Sequence, residues 1–107
     1  MNDRKTTLAQ LKDTLRAFNA KRGWTHNALN TAISINLEAG ELLEIFQWCD
    51  QAEADRAARE TDREHFTEEL ADILIYCLDL AMAYDVDIAA AIEDKLRKNA
   101  EKYPETK

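Results

Sequence analysis

Two long segments, about 27–49 and 63–84, are apolar around most of a helical circumference, yet each carries one narrow polar strip. At roughly 100° per residue, Ala32, Ile35, Ala39, Leu42, Leu43 and Phe46 spread over the far side of the first segment. Asn30, Ser34, Glu38, Glu41 and Glu44 line its strip, with Trp48 at the end. The second segment repeats the layout. Leu70, Leu74, Ile75, Cys77, Leu78, Leu80, Ala81 and Met82 cover most of it, and Glu68, Glu69, Asp72, Tyr76 and Asp79 take the rest. A helix this apolar must be covered on several sides. A chain of 107 residues can hardly cover two such helices alone, so the pattern predicts a homo-oligomer with two-fold symmetry. Gly40, inside the first segment, costs about 1 kcal/mol relative to Ala. That cost fits a close approach by another backbone or a ligand.

The rest of the chain points the same way. Two glycines and one proline are too few for a sheet protein with many tight turns, and the Ala-, Leu- and Glu-rich composition favours helices. The length suits one domain, residues 1–107. Leu8, Leu11, Leu15 and Phe18 form an amphipathic stripe that ends near Arg22 and Gly23, a glycine stop. A last helix is expected from Asp87, as N-cap, to Lys102 ahead of Pro104, and the 63–84 helix opens after Thr61 or Asp62. Four segments predict an all-α, four-helix bundle-like protomer. The intervening DQAEADRAARETD is either a short helical turn or a mobile stretch.

A net charge of −7 argues against binding a nucleic acid polymer, because no basic stripe replaces its counterions. It also means that a polyphosphate can approach only with cations in between. No apolar run approaches the 18 residues of a membrane span and no leader pattern opens the chain, so the expectation is a soluble, cytoplasmic protein that uses no membrane. Cys49 and Cys77 belong to no CxxC pair and read as reduced thiols.

The acids carry the chemistry. Glu38 and Glu41 project from one face at i, i+3, as do Glu69 and Asp72. If the two long helices run antiparallel, four carboxylates converge. They cannot all stay ionised at close range without a counter-charge, and oxygen-only ligands suit Mg²⁺ or Mn²⁺. With 21 acids in the chain, such pairs also arise without purpose, as Asp50 and Glu53 do in the polar stretch. Those within apolar helices differ, because a buried unpaired carboxylate is costly. By spacing alone, Lys95 and Asn99 read as a snorkelling lysine and a surface amide. Tyr76 reads as core packing. Trp24 and Trp48 read as core residues or stacking platforms, and His26 as a cap, a solvated side chain or a ligand contact. A carboxylate-bridged di-iron bundle needs Glu-x-x-His on two helices, and Asp62 with His65 is the only approach to it.

EAGE, then EELAD, with 27 residues between Glu41 and Glu69, resembles the ExxE…ExxD signature of the MazG-like nucleotide pyrophosphohydrolases. The longer blocks EAGELLEIFQW, EELADILIY and KLRKNAEKYP resemble the branch that includes dCTP pyrophosphatases. The resemblance implies an all-α fold in a tight homodimer, often a dimer of dimers. It implies Mg²⁺-dependent cleavage of a nucleoside triphosphate, dCTP-like, to monophosphate and pyrophosphate, in a nucleotide-pool cleansing role. By the same resemblance Glu38, Glu41, Glu69 and Asp72 are the metal-binding and catalytic acids. Lys95 and Asn99 lie near the phosphates, Tyr76 near the substrate, and Trp24, His26, Asn30 and Trp48 around base and sugar. The alternative from a different class is a non-enzymatic helical dimerisation module whose acid strips serve specificity or solubility.

Overall fold

The structure, a computed structural model, describes residues 1–106, which form helices and no strand. Helix α1 spans Leu8–Arg22, α2 Ala28–Phe46, α3 Gln51–Arg56, α4 Arg63–Ala83 and α5 Ile88–Lys102. A single π-helical turn, Ala57–Thr61, joins α3 to α4. The four long helices match the sequence periodicity. The polar stretch left open by sequence is therefore helical.

Local chemistry sets the boundaries. Thr7 and Gln10 form a capping box at the start of α1. Gly23 ends α1 in the left-handed region, φ 66°, while its N–H and that of Trp24 return to Ala20 and Asn19. Asn27 caps α2 through the Asn30 N–H, and Asp87 caps α5 through the Ala90 N–H. Asp50 and Glu53 form a second capping box. The N–H of Glu53, donated to Asp50, holds that carboxyl below its ordinary range. Asp62 occupies the N-cap of α4 without a side-chain bond, and its N–H closes the π turn on Ala57 O.

Helix α4 lies between α1 and α2 and runs antiparallel to both. Phe46 meets Phe66 edge to face at one end of the α2–α4 pair, with centroids 5.9 Å apart. At the other end, the Ala28 N–H donates to the Tyr84 hydroxyl at 2.7 Å. Against α1, Asn19 bonds Asp79 and the Lys12 ammonium reaches Val86 O. Helix α5 makes only sparse contacts with the other elements. It leaves α4 through Asp85, whose φ of 54° is a left-handed turn that Asp tolerates.

Very little apolar surface is enclosed. Ala57 and Ala81 are the only buried hydrophobic residues among those described. Leu29, Leu37, Leu43, Leu74 and Leu96 are each more than half exposed. The accessible surface is 8739 Å², about 2,600 Å² above that of a compact protein of this mass. The radius of gyration is 16.6 Å, where about 13 Å is usual for this length. Among the described residues no helix is long and apolar enough to cross a membrane.

Candidate active site: a carboxylate cluster beside an aromatic cleft

The antiparallel pairing of α2 and α4 brings their acid strips together. Glu38, Glu41 and Glu69 each place a carboxylate oxygen within 4.8 Å of the others. Glu41 is exposed, Glu38 is half-buried and Glu69 is nearly buried. Burial, then hydrogen bonding to Glu41 and Glu69, then the charges of Glu41 and Asp72, push the Glu38 carboxyl up to about 7. Asp72 is thus close enough for its charge to be felt by Glu38. Two oxygens, Glu38 Oε2 and Glu69 Oε2, are buried without a hydrogen-bond partner. The other oxygen of Glu69 lies 3.3 Å from His65 Nε2. Orphaned, negatively charged oxygens are costly in a protein interior. Hard oxygen donors with unused lone pairs fit a divalent cation, so this cluster could hold a metal.

Asp72 also lines the wall of an adjoining cleft of about 720 Å³ between α1, the 23–26 loop and α4. Its apolar side comes from Leu15, Phe18, Trp24 and Ile75, and its polar side from Thr14, Asn19, Ser34, Tyr76, His26 and Asp79. Phe18 and Trp24 meet edge to face, 5.9 Å between centroids, and the Arg22 guanidinium sits 3.5 Å over the Phe18 ring. Beneath the cleft, Asp79 is 3 % exposed. Its Oδ1 accepts from Asn19 Nδ2 at 3.0 Å, and its Oδ2 lies 3.3 Å from His26 Nε2.

Of the residues singled out in the sequence, the three glutamates converge, and Asp72, Tyr76, Trp24 and His26 meet at the cleft. Asn30 lies one turn from the cleft residue Ser34, whose hydroxyl donates to its carbonyl, but is not itself in the wall. Trp48 is 88 % exposed beyond the end of α2. Lys95 and Asn99, on α5, belong to neither cluster nor cleft within one chain. The contribution of α1 was missed: Thr14, Phe18 and Asn19 form a wall. One signal was available, since Asn19 sits four residues after Leu15, a polar residue on an inward-facing stripe.

A bundle of antiparallel helices, with a carboxylate cluster set against an aromatic cleft, defines the class: an all-α protein with a candidate metal and ligand site on its two central helices. The chain belongs to the MazG-like family, whose model matches residues 33–107. It is similar to dCTP pyrophosphatase 1 of Rattus norvegicus, 36% identical over 101 residues, which is 92% of this chain and 59% of that protein. The human protein of the same name is 34% identical over 101 residues, with the same coverage. The chain thus spans about three fifths of the length of these curated relatives. Among solved structures, a pyrophosphatase from Archaeoglobus fulgidus superposes with a TM-score of 0.86 at 36% identity, covering 98% of this chain and 99% of that one.

Proposed function

We propose that this chain is a Mg²⁺-dependent nucleoside triphosphate pyrophosphohydrolase that favours a dCTP-like substrate. The observation that carries this reading is the junction at Asp72, where a cluster of orphaned acids opens onto a nucleoside-sized aromatic cleft. Glu38, Glu41, Glu69 and Asp72 would hold Mg²⁺, with Mn²⁺ as substitute. When bound, the cation supplies the positive charge that couples a polyphosphate to an acidic surface and polarises phosphorus. Trp24, Phe18 and Tyr76 pack against the nucleoside, and His26 faces its polar edge. A water attacks the α-phosphorus in line with the bond to the pyrophosphate, which breaks. Glu41, the exposed member of the trio, orients that water and takes its proton. The products are nucleoside monophosphate and pyrophosphate, and the role is cleansing of a cytoplasmic nucleotide pool.

Residues 1–107 act as one domain in a tight homodimer or dimer of dimers. The excess surface and the exposed leucines support this, since about 800 Å² per partner already makes a standard interface. A second copy also supplies a route for Lys95 and Asn99 to reach the phosphates, which one chain leaves far from use. Leu74→Glu should shift the protein to a smaller species on sizing chromatography, and an unchanged elution volume overturns the oligomer. The exposed apolar faces equally suit a non-enzymatic interaction module. The deciding experiment is ³¹P NMR of products from a dNTP panel with Mg²⁺, for wild type and Glu41→Gln. Monophosphate and pyrophosphate from wild type alone support the proposal. Orthophosphate and diphosphate move the cleavage point, and no turnover with Mg²⁺ or Mn²⁺ favours the interaction module.

A further inference from the structure

Asn19 and Asp79 have no role in the chemistry above, yet with His26 they form a network in the cleft wall. Asp79 is the only charged residue on α4 besides Glu69 to be buried among those described, and burying a carboxylate needs a reason. As a carboxylate it has acceptors and no donor. The Asn19 amide satisfies Oδ1. Oδ2 lies 3.3 Å from His26 Nε2, a buried nitrogen with no hydrogen-bond partner, on a side chain that is 18 % exposed. A lone pair on Nε2 would oppose the carboxylate, so the proton of a neutral imidazole sits on Nε2. The Tyr76 ring meets the imidazole edge to face, at 79° and 6.5 Å between centroids. In that neutral tautomer Nδ1 is the hydrogen-bond acceptor.

We propose that Asp79, braced by Asn19, is a positioning residue that holds His26 in its Nε2–H tautomer, so that the cleft selects a nucleobase offering an exocyclic amine over one offering a carbonyl oxygen. This rests on the nucleotide reading of the cleft. An amine donates to Nδ1, whereas a carbonyl would set lone pair against lone pair and leave two acceptors unmatched. Cytosine and uracil differ in this way at one edge position, N4–H₂ against O4.

The tautomer is read directly by long-range ¹H–¹⁵N NMR of the imidazoles above their titration range. The two histidines are assigned with His65→Gln. The selectivity is read by calorimetric binding of non-hydrolysable dCTP and dUTP analogues with Mg²⁺, for wild type and the isosteric Asp79→Asn. The expected result is Nε2–H in wild type and a shift toward Nδ1–H in the variant. The dCTP-to-dUTP affinity ratio should fall roughly tenfold in the variant, the size of one mismatched buried hydrogen bond. Wild-type His26 with its proton on Nδ1 overturns the proposal even if Asp79→Asn fails to fold. A changed tautomer with an unchanged affinity ratio overturns it as well. Failure of both analogues to bind, with His26 as Nε2–H, instead overturns the nucleotide reading and the selective step with it.

Discussion

Helix α4 carries two buried carboxylates about 15 Å apart along its axis, ten residues at ~1.5 Å each, and they are treated in opposite ways. Asp79 accepts a hydrogen bond from an amide of α1 on one oxygen and lies 3.3 Å from an imidazole nitrogen of the loop after α1 with the other. Glu69 is packed against Glu38 and Glu41 and keeps an oxygen with none. The contrast separates two uses of the same chemical group. A carboxylate set against an amide and an imidazole of the chain holds other residues in place. A crowded carboxylate with unmatched lone pairs leaves room for the cation proposed above.

The largest expected effect breaks the contrast at the acid end. Glu41→Gln and Asp72→Asn should each lower the rate of the proposed pyrophosphohydrolase reaction about 1,000-fold or more, on the scale of lost transition-state charge stabilisation. Far-UV circular dichroism should stay unchanged, and a chelator that removes the proposed cation should silence wild type equally. Near-normal turnover in both variants would place the chemistry elsewhere.

At the partnered end the effect should fall on stability. Asp79→Ala strands the Asn19 amide and removes the charge facing His26, and should cost about 2 kcal/mol in urea unfolding. Glu38→Gln should do the reverse in metal-free protein at neutral pH, because it removes a charge from a crowded cluster. A loss of stability in both variants would erase the distinction between the two ends.

Proton linkage sharpens the same point. The Glu38 carboxyl is raised from 4.5 to about 7 in the fold, so the folded state binds the extra proton between those values. Its contribution to stability is full below 4.5 and is lost as pH rises through about 7. The amplitude should be on the order of 1 kcal/mol after solvent screening. Urea midpoints of the metal-free protein across this range should fall, and Glu38→Gln should flatten the trend. The smallest effect concerns Trp48, which stands outside both regions in one chain. Trp48→Ala should alter discrimination among bases by a few-fold at most, and an unchanged substrate ranking would remove it from the site.

Much of this was legible in the chain. The 3.6-residue period of Leu8, Leu11, Leu15 and Phe18 fixed α1, and Gly23 and Asp87 marked ends through local hydrogen bonding. The spacing of Glu38 with Glu41, and of Glu69 with Asp72, put each pair on one face. The helical character of 50–62 was left undecided, because six residues of α3 and one π turn give too short a period to read. The roles of Asn19 and Asp79 were not legible as a pair, since sixty residues separate them.

The sequence by itself determined that the chain is helical, where its long helices run, and that acids line the strips of two of them. These follow from interactions within a turn or two of backbone, whose partners are neighbours in the chain. Only the tertiary structure decided that α4 lies antiparallel between α1 and α2. That arrangement leaves Glu38 and Glu69 with orphaned oxygens while setting Asp79 against Asn19 and His26. Whether a buried carboxylate is satisfied depends on which groups arrive from distant elements, and local periodicity carries no record of that.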